Sequence, residues 1–305
     1  MRSSNGTLLR HGDLQPYPVE IGLEKMNLVS FNINGIRARL HQVNEVLRGY
    51  SPFVVGLQEV KVADEQFPFA ELADTGYHIE VFGQKGHYGV GLLAKTPPIK
   101  VERGFPWDPP DAQRRFIVGH FDTPSGPLTV LNGYFPQGDS RAHEVKYPGK
   151  AKFFSDMSRY LREHCDPRQP LVLMGDINVS HTDLDVGIGE ENRLRWLKSG
   201  KCSFLPEERA WLDELIRWGL HDTYREHHPG DASKFSWFDY RTSGFERDPP
   251  RGLRIDVVLA TAPVLAQSTG AGIDYDVRGM IRPSDHCPVW VELSEGSGNP
   301  VVSVR

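Results

Sequence analysis

The chain has 305 residues, of which 39% are hydrophobic and 25% are charged, and its net charge is −5. This composition indicates a globular protein with enough apolar material for a sizeable core, and it excludes a strongly basic polypeptide. An acidic balance does not indicate nucleic-acid binding, although a local basic cluster or a bound divalent cation can reverse the potential at a site. The three cysteines, Cys165, Cys202 and Cys287, match no zinc spacing, so we expect reduced thiols in a cytoplasmic protein. No stretch of the sequence predicts a transmembrane helix.

Hydrophobic periodicity predicts strands and helices along most of the chain. The predicted strands span residues 27–33, 52–57, 81–82, 89–94, 116–120, 128–133, a run that starts at 171, 255–260 and 289–293. The predicted helices span residues 36–50, 150–164 and 209–218, and residues 231–250 are expected to form a long loop. Strands occur both in hairpin-like runs and between helices, which predicts mixed sheets packed between helix layers in one domain, residues 26–293. Residues 1–25 and 294–305 are expected to be flexible tails.

The segment from Leu171 to Asn178 is the most informative stretch of the sequence. It begins with a continuous apolar run, typical of a strand buried on both faces, and it changes character at Gly175. Asp176 and Asn178 are two positions apart, so on an extended backbone they point to the same side, a carboxylate beside an amide. Taken alone, this pattern is also that of a strand running into an Asx turn, so its chemical meaning depends on the other strand ends.

Polar side chains stand at the ends of several other predicted strands. They are Asn32, Glu59, Tyr134, Asp256, Asp285 and His286. Each one has an ordinary explanation as a cap or turn residue, but together they indicate a functional site on a rigid scaffold. Hard oxygen ligands without cysteine suit Mg²⁺ or Mn²⁺ rather than zinc. Because the sequence has neither a phosphate-binding glycine loop nor a nucleophile elbow, the set favours metal-assisted attack of water on a phosphoester.

Seven segments of the chain form a recognisable set. In chain order they are residues 31–39 (FNINGIRAR), 57–59 (LQE), 83–90 (GQKGHYGV), 132–138 (NGYFPQG), 175–178 (GDIN), 235–240 (FSWFDY) and 284–286 (SDH). Together they resemble the bacterial exonuclease III family, whose members are Mg²⁺-dependent apurinic/apyrimidinic endonucleases of the endonuclease/exonuclease/phosphatase superfamily. The segments occur in the family's order, and the resemblance covers roughly residues 26–293. It implies an α/β fold, a four-layer α/β sandwich in which two mixed β-sheets pack face to face with helices outside.

The resemblance also implies a metal site. Glu59 is the expected principal ligand of Mg²⁺, for which Mn²⁺ can substitute, and Asn32 and Asp285 are expected close to the ion. The simpler interpretation of Asn32 is a turn residue, because it lies two positions before the Asn34-Gly35 turn signal.

Five further residues are implied to act on the attacking water and the scissile phosphate. Asp176 would align or activate the water, and Asn178 would support it. His286, oriented by Asp256, would contact the phosphate, and Tyr134 would point at the phosphate or the leaving oxygen. Two of these have a simpler interpretation: Tyr134 as a half-buried aromatic residue with a satisfied hydroxyl, and Asp256 as a purely supporting acid.

The implied substrate is duplex DNA with an abasic site or a 3′ end, and the implied activities are cleavage 5′ to abasic sites, 3′–5′ exonuclease and 3′-phosphatase or phosphodiesterase. Arg114 and Lys146 are the leading candidates for contacts to the DNA backbone, because they flank family motifs. Trp237 matches the family's aromatic wall for a flipped abasic sugar, with Leu253 on the other side. A lone tryptophan is more often a core residue, but the polar loop around Trp237 favours the pocket. We expect a monomer with no membrane association.

Two other functions remain open at this stage. A phosphatase of the same superfamily would act on a small phosphoester, against which the Trp237 loop and the segment 132–138 argue. A catalytically silent DNA-binding protein could use the same scaffold, against which the complete set of acids and His286 argues. Assays with sugar or inositol phosphates, and binding of abasic DNA without cleavage, would discriminate these alternatives.

Overall fold

The computed structural model describes residues 25–294, and the predicted tails fall outside them except for Lys25 and Ser294. Within these residues, strands β1 to β12 span Lys25–Asn32, Val54–Gln58, His78–Phe82, Val90–Ala94, Lys100–Arg103, Phe116–Thr123, Gly126–Tyr134, Leu171–Asp176, Leu220–Asp222, Asp256–Thr261, Ser268–Ile273 and Val289–Ser294. Helices α1 to α8 span Ile36–Tyr50, Phe69–Leu72, Lys146–His164, Glu190–Ser199, Pro206–Gly219, Thr223–His227, Ala262–Leu265 and Tyr275–Arg278. No helix in the described part of the chain is long and apolar enough to cross a membrane.

The strands form two six-stranded mixed sheets. The first has the order β11-β12-β1-β2-β4-β3, and the second has the order β5-β6-β7-β8-β10-β9. Each sheet contains one parallel pair, β1 with β2 and β7 with β8, while its other described neighbours are antiparallel. The predicted α/β class with two mixed sheets is therefore confirmed.

Three apolar clusters separate the layers. The first lies between the sheets, where Leu28 and Leu92 of one sheet meet Val130 and Met174 of the other. The second joins the outer face of the second sheet to α3 and α5, and the third joins the outer face of the first sheet to α1. Every residue of β8 is buried, because its side chains alternate between the first and second clusters. This is why the run from Leu171 is continuously apolar.

Several elements differ from the sequence-based prediction. Strands β5, β9 and β11 were not predicted, and neither were the helices α2, α4, α6, α7 and α8. Each of these strands is short or largely uncovered, so it lacks the clear alternation that marks a half-buried strand. Helix α3 begins at Lys146 rather than at residue 150, and α5 begins at Pro206 rather than at residue 209. Proline in a first helical turn, as at Pro148 and Pro206, removes no intrahelical hydrogen bond, but it obscured both helix starts.

Gly175 explains why β8 can deliver a carboxylate to the edge of its sheet. Its φ is +151°, and a Cβ atom there would lie 1.9 Å from the carbonyl oxygen of Gly133 on β7. Only glycine permits so close an approach between the two strands. The close pairing carries β8 through to Asp176, directly opposite Tyr134 at the end of β7.

Candidate active site

Strand register brings the predicted site residues to one edge of the sandwich. Asp176 pairs with Tyr134 across β7 and β8, and it pairs with Asp256 across β8 and β10. In the first sheet, Asn32 pairs with Gln58, the residue just before Glu59. Because the sheets pack face to face, these ends adjoin. They border a cavity of about 480 Å³ whose lining includes Glu59, Tyr134, Asp176, Asn178, Trp237, Leu253, Asp285 and His286.

Glu59, Asp176 and His286 form a compact cluster, in which the carboxylate oxygens of the two acids are the candidate metal ligands. One ligand atom of each lies within 4.8 Å of the others. Asn32 lies between the two acids, because its Nδ2 donates to Glu59 Oε1 and to Asp176 Oδ2, both at 2.9 Å. Asn32 is thus a hydrogen-bond donor that joins the ends of β1, β2 and β8. The carboxylate oxygens of partly buried Glu59 and buried Asp176, at this spacing, fit a hard divalent cation.

Lys61 is a site residue that the sequence analysis missed. Its Nζ lies 2.7 Å from Glu59 Oε2. Burial opposes ionisation of Glu59, but the ammonium of Lys61 and the amide of Asn32 outweigh it and hold the pKa of Glu59 below its usual value. Glu59 is therefore an anion at neutral pH. The signal available in the sequence was a lysine only two residues after the expected ligand.

His286 is a buried cation between two acids. Its Nδ1 lies 2.9 Å from Asp256 Oδ2, and its Nε2 lies 3.8 Å from Asp176 Oδ2. Burial acts against the imidazolium, but Asp256 and then Asp176 outweigh it and raise the pKa of His286 above its usual value. The imidazole is therefore protonated at neutral pH, with Nδ1–H fixed on Asp256 and Nε2–H directed into the cavity.

The surroundings of Asp176 and Tyr134 raise the proton affinity of both side chains. Complete burial, only partly offset by His286, raises the pKa of Asp176 above its usual range. Burial, with Glu59 and Asp176 close by, raises the pKa of Tyr134 well above its usual value, so this residue offers a hydroxyl donor. Asn178 adopts a left-handed backbone, with φ of +54°, and its N–H donates to Asp176 Oδ1 at 3.0 Å. Asn178 therefore fixes the orientation of the Asp176 carboxylate.

Asp285 lies outside the three-residue cluster and holds Trp237 instead. Its Oδ2 accepts the indole N–H of Trp237 at 3.0 Å, and its Oδ1 accepts Asn34 Nδ2 at 2.8 Å. Trp237 is only partly buried and lines the cavity, whereas Leu253 is 1% exposed. The two residues are joined by a short antiparallel bridge through their backbones. The cavity thus has an aromatic wall that is fixed by a carboxylate.

Neither of the two candidate DNA contacts lines this cavity. Arg114 Nη1 is bound to Asp64 Oδ2 at 2.9 Å and to the carbonyl oxygen of Gly83 at 2.6 Å. Lys146 is the exposed first residue of α3 and borders a neighbouring cavity of about 420 Å³. The adjacent Arg115 contacts a residue of the site, because its guanidinium lies 4.0 Å from the ring centroid of Tyr88 and 4.6 Å from that of Tyr134.

Two sheets packed between helices, with acids and a histidine at the strand ends, define the class of this protein. The donor set fits a hard divalent cation, and the protonated imidazole and phenol beside it fit a tetrahedral oxyanion such as a phosphate. The fold and site together are those of a metal-assisted phosphoester hydrolase.

Comparisons with known proteins agree with this class. The profile of the Endonuclease/Exonuclease/phosphatase family matches residues 29–286. Exodeoxyribonuclease III of Haemophilus influenzae is 54% identical over 268 residues, which cover 88% of this chain and 100% of that protein. The chain therefore belongs to the endonuclease/exonuclease/phosphatase family, and it is a nuclease of the exonuclease III type.

Solved structures of similar fold support the same family. The 3′ phosphatase NExo from Neisseria, bound to a product DNA hairpin, has a TM-score of 0.80 and 32% identity, covering 88% of this chain and 99% of its own. An AP endonuclease from Archaeoglobus fulgidus has a TM-score of 0.79 and 31% identity, covering 87% of this chain and 98% of its own.

Proposed function

We propose that this protein is a Mg²⁺-dependent DNA-repair nuclease that hydrolyses the phosphodiester 5′ to abasic sites in duplex DNA. The proposal includes 3′–5′ exonuclease and 3′-phosphatase or phosphodiesterase activity, and a monomer working in the cytoplasm. The proposal rests on one observation: Glu59, Asp176 and His286 lie together in one cavity, and Trp237 forms a wall of that cavity. The names of the relatives, an exodeoxyribonuclease, a 3′ phosphatase and an AP endonuclease, support this substrate class.

The metal would be held by Glu59, with Asn32 and Asp285 nearby. Buried carboxylate oxygens are suitable ligands for Mg²⁺, and Mn²⁺ can substitute for it. When bound, the ion would supply positive charge to the phosphoryl oxygens and to the departing alkoxide. Lys61 keeps Glu59 ionised before the ion arrives, so this ligand needs no deprotonation.

Asp176 is the base in this proposal. A carboxylate with a raised pKa takes a proton from water more readily than an ordinary one, since general-base efficiency is greatest when the pKa lies near the working pH. The neighbouring His286 cation favours the ionised carboxylate that this step requires. The N–H of Asn178 and the amide of Asn32 fix both oxygens of Asp176, so the orientation is set before substrate binds.

His286 and Tyr134 hold the phosphate. The imidazolium presents Nε2–H to the cavity, while Asp256 keeps the ring in place through Nδ1. The Tyr134 hydroxyl stays protonated and donates to a phosphate oxygen or to the leaving oxygen. Donors that are fixed where negative charge develops stabilise the transition state more than the ground state.

The test is cleavage of a duplex that carries one synthetic abasic site, with and without Mg²⁺. We expect a Mg²⁺-dependent nick on the 5′ side, reduced by about 10²- to 10⁴-fold in Asp176→Asn, the range for loss of a general base. Asp166→Asn is the matched control, because that partly exposed acid precedes the opposite end of β8. An intact duplex with folded protein would refute the proposal. Hydrolysis of a small phosphoester would then favour the phosphatase, and binding without cleavage would favour the binding protein.

A further inference from the structure

Lys150 of α3 is completely buried behind the active site. Its side chain is 0% exposed, as is that of its partner Glu208 on α5, and Nζ lies 2.5 Å from Glu208 Oε1. A lysine is almost never fully buried unless its charge is paired. Burying both charges is costly, and a well-packed apolar pair in their place is often equally stable. Stability alone therefore does not account for an ion pair at this position.

The other two donors of Lys150 go to the backbone of the loops that form the site. Nζ donates to the carbonyl oxygen of Asn178 at 2.9 Å and to that of Gln137 at 3.3 Å. An ammonium has three donors, so all of them are used. Asn178 holds the Asp176 carboxylate through its own N–H, and Gln137 lines the cavity three residues after Tyr134. One buried group thus joins the loop of the base to the loop of the phosphate donor.

The surroundings of Lys150 leave it little freedom to move. A Cβ atom at Gly138 would come within 2.9 Å of Lys150 Cδ, so the 137–138 loop closes directly over the lysine stem. Glu208 is fixed in turn, because its Oε2 accepts the backbone N–H of Leu205 at the start of α5. The ammonium is therefore held at a defined point beneath the two loops.

We propose that Lys150 is a positioning residue: held by Glu208, it fixes the carbonyls of Asn178 and Gln137 and thereby holds in place the two loops that follow Asp176 and Tyr134. This inference rests on the proposed function. Because Lys150 and Glu208 are oppositely charged and adjacent, the pair acts through geometry rather than through its net electric field. Misplacement of reacting groups by about 1 Å can cost about 10²-fold in rate, so a small shift of either loop is sufficient to impair catalysis.

The test compares the double variant Lys150→Met/Glu208→Gln with the wild type on abasic duplex at saturating Mg²⁺. The double variant leaves no uncompensated charge but removes both carbonyl contacts. We expect kcat to fall by about 10- to 100-fold while KM for DNA changes by less than about 3-fold, since the geometry of the reacting groups changes and the DNA-binding surface does not.

Glu214→Gln is the matched control. Glu214 accepts from Ser158 at 2.6 Å and Arg162 at 2.8 Å, so it also ties α3 to α5, but at a point away from the cavity. A merely structural pair would lower the melting temperature of the double variant without lowering kcat, and that result would overturn the inference.

If the double variant fails to fold, Lys150→Arg decides the question. Its guanidinium keeps the charge but cannot direct one nitrogen at both carbonyls, so a fall in kcat supports the inference and a wild-type kcat overturns it. Absence of cleavage by the wild-type protein would refute the proposed function rather than the role of Lys150.

Discussion

Replacement of Trp237 tests whether this residue is a wall of the substrate pocket or only a core residue. Its backbone is fixed independently of its side chain, because its N–H donates to the carbonyl oxygen of Leu253 at 2.9 Å and its carbonyl oxygen accepts the N–H of Leu253 at 3.0 Å. Trp237→Ala should therefore leave the loop in place while removing the indole ring and freeing Asp285 Oδ2. Trp237→Phe keeps an aromatic wall and removes only the N–H donor.

The size of the expected losses in activity and stability follows from what the indole ring contacts. The abasic sugar has no base to stack on the indole, so the contribution comes from apolar contact. At about 25 cal/mol per Å² over about 40–120 Å² it amounts to about 1–3 kcal/mol, which corresponds to a decrease of about 5- to 150-fold in kcat/KM for abasic DNA on Trp237→Ala. Because the indole is only partly buried, we expect a loss of about 1–3 kcal/mol in the free energy of unfolding. Trp237→Phe should lie between the wild type and Trp237→Ala in activity.

The assay is kcat/KM on a duplex with one abasic site, measured well below the melting temperature of each variant. Trp290→Ala is the control, because Trp290 is also partly buried and packs near Tyr50, with ring centroids 6.0 Å apart, on the opposite face of the first sheet. This variant should lose comparable stability and retain activity. If the two alanine variants lose stability and kcat/KM in equal proportion, Trp237 is only a packing residue and the reasoning is wrong.

Two further predictions concern charge. MgCl₂ should stabilise the wild type by about 2.7 kcal/mol at one hundred times the Kd and so raise its melting temperature. Glu59→Gln should abolish this rise, while Glu163→Gln, on the exposed surface of α3, should keep it. A rise that persists in Glu59→Gln would place the ion elsewhere. Burial of Asp185 opposes its ionisation, but Arg254 outweighs it and lowers the pKa of Asp185 to about 2. Because the folded-state pKa is depressed, the stabilisation is complete above about pH 4 and is lost as the pH falls towards 2. Asp185→Asn should therefore cost about 2–3 kcal/mol in urea unfolding at pH 7 and progressively less below pH 4, and a pH-independent cost would contradict this.

The layers of the fold were predictable because burial leaves a direct record in the sequence. The run from Leu171 is apolar throughout, since β8 is covered on both faces. Strand β5, Lys100–Arg103, has no buried residue and is defined by its pairing with β6. Such an edge strand depends on its neighbour rather than on its own pattern, so no local signal predicts it.

The residues of the site were predictable from strand ends, but their contacts were not. Asp285 was expected near the metal, and both of its oxygens accept from side chains that are distant in the chain, Asn34 and Trp237. Arg114 and Arg115 are adjacent in the sequence, and only the tertiary structure decides which of them meets Tyr134. Spacing indicates which side chains gather at an edge, but the packing of two sheets determines which atoms touch.

The distribution of partners among the acids explains how several carboxylates coexist in one small cavity. Asp256 is balanced by the imidazolium of His286, and Asp285 is satisfied by two neutral donors. Glu59 and Asp176 share the neutral amide of Asn32, so positive charge added between them would stabilise both anions. Burial, only partly offset by His286, keeps the proton affinity of Asp176 high, while Lys61 keeps that of Glu59 low. Adjacent acids in different surroundings can therefore take different roles, one binding the cation and the other accepting the proton.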